Sequence, residues 1–297
     1  MFHQITIIGF GLIGSSLARA IIEHNLTDRL VCVDNNPDYC QQVLAMGLAD
    51  EATSDPVLGV EGSDFVIFCT PVGIMGNIAA QIGDNFAPNA IITDVGSVKN
   101  AVIEAVAPHI PDHAHFVPSH PIAGAEKSGP TAGIAELFMN RWSIITPLPE
   151  TDLRAMEKIT AFWEACGSNV DIMTPDHHDL VLGITSHLPH LIAYTIVGTA
   201  TELEDDLKSE VIQYSAGGFR DFTRIAASDP AMWRDVFLNN KDAVLEILQR
   251  FTEDLTALQR AIRKQDGEYL YQSFTKTRDI RRAIIDAGQA DYPTIEE

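Results

Sequence analysis

His120 stands between two prolines in the run F-V-P-S-H-P-I-A-G-A-E-K-S-G-P, Phe116 to Pro130, directly after a short apolar stretch that reads as a strand end. Pro118 and Pro121 restrict the backbone on either side, so the imidazole has few ways to move, which suits a proton acceptor near neutral pH. An idle loop histidine fits the same letters. The choice between them rests on what surrounds it.

A second group lies near the start. The strand-like run Gln4 to Ile8 leads into G9-F-G11-L-I-G14 and then an apolar-periodic helix through Leu17, Ala18, Ile21 and Ile22. Gly9, Gly11 and Gly14 permit a tight turn and bring the first amides of the helix, around Leu12 and Ile13, close to a pyrophosphate. Asp34 closes the next strand, 20 residues beyond Gly14, where a carboxylate accepts bonds from the adenosine ribose hydroxyls. Strand, fingerprint, helix and acid together indicate a dinucleotide site. An acid in place of a base favours NAD over NADP, whose 2′-phosphate would meet that carboxylate.

Further candidates sit at later strand ends. Thr70 and Pro71 follow Asp64 to Cys69, and Ser97 and Lys99 lie in D-V-G-S-V-K after Ala90 to Thr93. Ligands in doubly wound sheets bind at carboxyl ends of strands, so Thr70, Ser97 and His120 are placed to line one crevice. Ser97 fits a helix cap equally well, and Lys99 a solvated first-turn residue. In the second half, H177-H178-D179 precedes S-H187-L-P-H190 on a helix that Pro189 should kink, and G-G-F-R220-D-F-T-R224 precedes M-W233-R-D. His187 and His190 share a helix face. No acid or thiolate shares it, and metal binding is not indicated. Arg220 and Arg224, spaced i and i+4, read as a stacked pair that could grip a carboxylate or form a salt-bridged surface.

The elements that must position these residues change character once. Strand and helix alternate as far as Val170 to Ile172; then Thr174, a good N-cap, and Pro175 open a helical pattern that runs onward. The expected architecture is α/β: a Rossmann-type doubly wound sheet over residues 1–174 and an all-helical domain over 175–297. A chain of 297 residues with 46% hydrophobic and 21% charged content is ordinary for a globular protein. Twenty basic against 41 acidic residues give a net charge of −21, which repels nucleic acids and anionic membranes. Any anion site must therefore be built locally. Neither a leader nor an apolar run approaching about 18 residues is recognised, and the four scattered cysteines suggest no disulfide framework. A cytoplasmic location is the default expectation.

Taken in order, G-x-G-L-I-G, D-V-G-S-V-K, S-H-P-I-A-G-A-E-x-S-G, H-D with S-H-L-P-H, and G-F-R-D-F-T-R-I-A with M-W-R-D resemble the prephenate/arogenate (cyclohexadienyl) dehydrogenases of tyrosine biosynthesis, from residue 5 to about 250. The resemblance implies an NAD(P)-binding Rossmann domain and a helical domain that forms a homodimer. It implies oxidation of prephenate to 4-hydroxyphenylpyruvate, or of arogenate to tyrosine, with loss of carbon dioxide. By motif, His120 would take the ring hydroxyl proton, Ser97 would bond that hydroxyl or orient the histidine, and Arg224 would hold a substrate carboxylate. His187, His190 and Trp233 would shape the pocket, with Glu126 at its mouth. Neither the fused mutase nor the C-terminal regulatory domain of some relatives is expected.

Two rivals share parts of this pattern. A β-hydroxyacid dehydrogenase has a similar plan but would need a lysine early in the long second-half helix, and Thr174 to Leu203 contains none. An NAD-binding sensor would keep the glycines without needing Ser97, His120 and Arg224.

Overall fold

The computed structural model describes residues 1–124, 127–202, 213–214 and 217–286. Its first six strands are β1 (Phe2–Ile8), β2 (Thr27–Val33), β3 (Glu51–Thr53), β4 (Phe65–Phe68), β5 (Ile91–Asp94) and β6 (His115–Phe116). They pair in parallel in the order β3-β2-β1-β4-β5-β6. The crossovers carry α1 (Leu12–Glu23), α2 (Pro37–Ala45), α3 (Pro56–Val60), α4 (Val72–Ile82) and α5 (Asn100–Val106). Because strand side chains alternate, Phe65 and Ile67 enter one core with Leu17 and Ile21 of α1, while Val66 and Phe68 enter another with Met75 of α4 and Val102 of α5. The sheet is thus covered on both faces, as its near-continuous apolar strands require. Strand order reverses between β1 and β4, and that is where a doubly wound sheet opens a ligand crevice.

The sequence suggested that the strands after Phe116 extend this sheet. Instead, β7 (Ser119–Pro121), β8 (Trp142–Ile145) and β9 (Asn169–Ile172) form a separate three-stranded sheet, with β8 central. β7 is antiparallel to β8, and His120 lies opposite Ile144. His120 is therefore a strand residue and not a loop residue beyond a strand end. The helix α6 (Leu153–Ala165) packs Ile159, Phe162 and Trp163 into the same core as α1.

Beyond Ile172 the described residues are helical. Thr174 caps α7 (Pro175–Leu182) by accepting from His177 N at 3.3 Å. A π-helical turn, Gly183–His187, then leads into α8 (Leu188–Thr201). Pro189 has no N–H for the carbonyl four residues earlier, so the ladder widens just ahead of it. By length and composition Pro175–Thr201 could cross a membrane, with a mean hydropathy of 1.5, which corrects the expectation that no apolar run reaches that length. The later helices are α9 (Gly217–Thr223), α10 (Pro230–Asn239), α11 (Lys241–Lys264) and α12 (Gly267–Ile284). Met1–Val244 forms one compact unit and Leu245–Glu297 another; the candidate site residues described below all belong to the first.

Candidate active site

The turn after β1 has the shape its glycines suggest. Gly9 adopts φ +98°, and a side chain there would meet the Cys69 carbonyl at 2.8 Å. A Cβ on Gly14 would strike the Gly9 carbonyl, so that glycine sets how closely α1 approaches β1. Nothing lies within 4 Å of the Cβ position of Gly11. Gly11 is also the N-cap of α1 and brings no side-chain acceptor, which leaves the first-turn amides of Leu12 and Ile13 without a side-chain cap. Open space beside uncapped amides is the arrangement a pyrophosphate fills. Asp34, directly after β2, accepts from Phe10 N at 2.8 Å and Asn36 N at 2.9 Å, which fixes its carboxylate beside the turn with lone pairs to spare. Across the switch point, Thr70 keeps its Oγ1 buried without a partner among the described residues, and Pro71 caps α4. These residues fit a dinucleotide.

Around His120 the polar groups are buried and paired. Lys99 is fully buried, forming an ion pair with Asp94 and donating to the Ser119 carbonyl at 2.7 Å. The solvated first-turn reading of Lys99 is thereby overturned: Asp94 ends the edge of the sheet's interior, and its charge needs a partner away from water. Burial pulls the Lys99 pKa down, against the opposing pull of Asp94 and Asp179. Ser119 accepts from Trp163 Nε1 at 3.1 Å and donates to the Asp94 carbonyl at 2.9 Å, so both backbone and side chain next to His120 are tied. His120 Nδ1 lies 2.9 Å from His178 Nε2, and His178 Nδ1 lies 2.8 Å from Asp179 Oδ1. Burial, with His178, Lys99 and His187 nearby, pushes His120 well below the usual histidine value, and the ring is neutral at pH 7.

A ring cluster adjoins this network. His190 stacks on Trp233 with centroids 3.6 Å apart, and His187 meets the same indole edge-on at 6.0 Å. His187 Nδ1 is 3.0 Å from Asn240 Nδ2, which also donates to the Asp179 carbonyl at 2.8 Å. The π-turn lets His187 face inward: it is fully buried, and burial lowers its pKa to about 4 against the pull of Asp179 and the Ser97 backbone. His187 Nε2 and Trp233 Nε1 have no hydrogen-bond partner among the described residues. Buried polar atoms of that kind await a ligand or a water.

The structure thus buries His120, His187 and Trp233, leaves His190 half-buried against Trp233, and brings the Ser97 backbone close to His187. The arginines differ. Arg220 lies on α9 but Arg224 lies on the 3-10 turn Arg224–Ala227 that follows, and both are exposed, so the stacked pair on one continuous helix does not form. Glu126 lies outside the described residues. Lys99, His178, Asp179 and Asn240 were missed as site residues, although the H-D pair and the K of D-V-G-S-V-K stood inside motifs already singled out.

Comparison with known proteins identifies the family. Residues 17–172 match the family model described as prephenate dehydrogenase, nucleotide-binding domain, and 174–276 match prephenate dehydrogenase, dimerization domain. The chain is 41% identical to cyclohexadienyl dehydrogenase of Zymomonas mobilis, over 96% of this chain and 97% of that one. It is 34% identical to prephenate dehydrogenase of Bacillus subtilis, over 96% of this chain and 76% of the relative. Among solved structures, prephenate dehydrogenase of Aquifex aeolicus in complex with hydroxyphenyl propionate and NAD+ superposes with a TM-score of 0.89 at 32% identity, covering 96% of this chain and 99% of that one.

Proposed function

The chain belongs to the prephenate dehydrogenase family, and from that premise we propose that it catalyses NAD-dependent oxidative decarboxylation of prephenate to 4-hydroxyphenylpyruvate, of arogenate to tyrosine, or of both. The observation that carries the residue roles is a buried, neutral His120 whose Nδ1 is engaged by His178 while its Nε2 makes no hydrogen bond among the described residues.

Gly9, Gly11, Gly14, the Leu12 and Ile13 amides, Asp34, Thr70 and Pro71 would hold the dinucleotide, which when bound supplies the hydride acceptor. His120 Nε2 takes the hydroxyl proton as the ring carbon bearing that hydroxyl loses hydride, leaving a ring ketone. Loss of the ring carboxylate as carbon dioxide then sends its electron pair into the ring, which becomes aromatic, and the phenol oxygen recovers the proton. Histidine therefore borrows a proton and ends as it began. Ser97 bonds the reacting hydroxyl; Arg224 holds a carboxylate; His187, His190 and Trp233 wall the pocket. Family membership sets aside the β-hydroxyacid and sensor readings.

The proposal also takes residue 175 as the start of the substrate-binding half, supported by the two family models meeting there. It makes the protein a homodimer through its helical half, supported by the exposed apolar side chains of Leu255, Ile262, Tyr271, Phe274 and Ile280. Four free thiols suit a reducing compartment, and we place the enzyme in the cytoplasm. The test is absorbance at the NADH band with NAD plus prephenate, arogenate or a 3-hydroxy acid. Turnover of the 3-hydroxy acid alone would overturn the reading.

A further inference from the structure

The proposed mechanism uses one face of His120 and leaves its other neighbours without a task. Asp179 is the fixed point among them. Its Oδ1 accepts from Lys99 N at 2.7 Å and its Oδ2 from Asn100 N at 3.0 Å, so two backbone amides at the start of α5 lock the carboxylate in one orientation. Burial alone would raise the Asp179 pKa, but the bonds from His178 and from those amides outweigh it and hold it below the usual carboxylate range. The carboxylate is then acceptor only. His178 must present Nδ1–H to it, and because burial keeps this ring neutral, its Nε2 carries a lone pair. That lone pair faces His120 Nδ1 at 2.9 Å. His120 is left with its proton on Nδ1 and its own lone pair on Nε2.

We infer that Asp179 and His178 are positioning residues that set the tautomer of His120 through two successive hydrogen bonds, keeping Nε2 open as the proton acceptor and spreading the positive charge that arrives there. The inference rests on His120 being the base. It adds what makes that imidazole a base in the correct sense, since the opposite tautomer would present an N–H to the substrate hydroxyl and accept nothing. The groups acting on the pair are Lys99 and Asp94 from the β5–α5 region, Asp179 from α7 and His187 from the π-turn. Charge on His178, Lys99 or His187 disfavours charge on His120, so His178 supports an imidazolium there only while it is itself neutral, as burial keeps it. A neutral acceptor backed by a carboxylate is the contact that offsets them.

His178→Phe keeps a ring of similar size and removes the acceptor; His178→Gln restores one at a similar reach. The expected result for Phe is a fall in kcat of roughly 10- to 100-fold with KM for prephenate and NAD affinity within about threefold of wild type. The acidic limb of kcat/KM should move to lower pH, because the imidazolium has lost its partner, and Gln should recover most of kcat. A kcat within about twofold of wild type, a loss with an unmoved limb, or a Gln variant as slow as Phe overturns the inference. A measurement independent of how the variants fold is the 15N–1H correlation pattern of the wild-type protein labelled with 15N-histidine. Nδ1–H on both His120 and His178 is expected, and Nε2–H on His120 overturns it. His120→Asn separates this inference from its premise: near-normal kcat there removes the base reading itself, whereas an inactive His120→Asn beside a fast His178→Phe removes only the relay.

Discussion

His120 and Arg224 are both assigned to the substrate, yet the molecule treats them in opposite ways. His120 sits on a buried strand with its ring nitrogen, its preceding carbonyl and its neighbouring hydroxyl all tied. Arg224 sits exposed on a single 3-10 turn. The proton acceptor must have one tautomer and one position before substrate arrives, and only a paired, dry network enforces both. A carboxylate grip must admit its ligand, so it belongs to a part of the fold with fewer buried contacts. On the proposed roles, the chemistry is set on a buried strand and the capture at an exposed turn.

The sharpest break of that contrast is His120→Asn, which keeps size and polarity and removes the acceptor. kcat should drop roughly 10²- to 10⁴-fold while NAD binding persists; stopped-flow or steady-state rates check it, and near-normal turnover moves the role elsewhere. Next comes Lys99→Met. Stranding the buried Asp94 charge should cost on the order of 3–5 kcal/mol of stability, read as a lowered urea midpoint, and an unchanged midpoint would mean the pair is not buried in solution.

Acid should attack the same region. His187 has a folded pKa of about 4 against 6.5 for the unfolded ring, and His120 and His178 are lowered too. Below pH 6.5 the unfolded chain binds more protons than the folded one, so stability is complete above that value and falls as pH drops towards 4, by about 3 kcal/mol for His187. Urea titrations between pH 7 and 4.5 that gave a flat stability would contradict this. On the other side of the contrast, Arg224→Ala should raise KM for prephenate roughly 10- to 100-fold with kcat little changed. An unmoved KM hands the grip to Arg220 or Lys127. The smallest effect concerns cofactor choice: NAD should be preferred over NADP by about tenfold in kcat/KM, about 1.4 kcal/mol, and Asp34→Ser should erode that ratio.

How much of this could be read from the chain follows the range of each interaction. The glycine turn, its strand, its helix and Asp34 are close in sequence, and periodicity with turn chemistry suffices for them. His120 stood out through its flanking prolines, but its sheet did not, because β7 is three residues long and its partner β8 begins at Trp142. Lys99 looked solvated because only pairings to Asp94, Ser119 and the region of Asp179 reveal its burial. Pro189 announced a distortion and not its type, and the π-turn it induces is what turns His187 inward. The bond from Asn240 to His187 spans 53 residues and left no local trace at all.

The carboxylate of Asp179 closes onto the amides of Lys99 and Asn100, 80 and 79 positions earlier in the chain. During synthesis those amides emerge first and wait. At ribosomal rates of about 5–20 residues per second, roughly 4–16 s pass before residue 179 exists to cap them, and longer before the helix bearing it clears the exit tunnel. For that interval α5 starts without the carboxylate that holds its first amides, and His120 lacks its His178 neighbour. On the proposed roles, a chain stalled before residue 179 would present a dinucleotide cradle beside a His120 that lacks the neighbours proposed to set its tautomer.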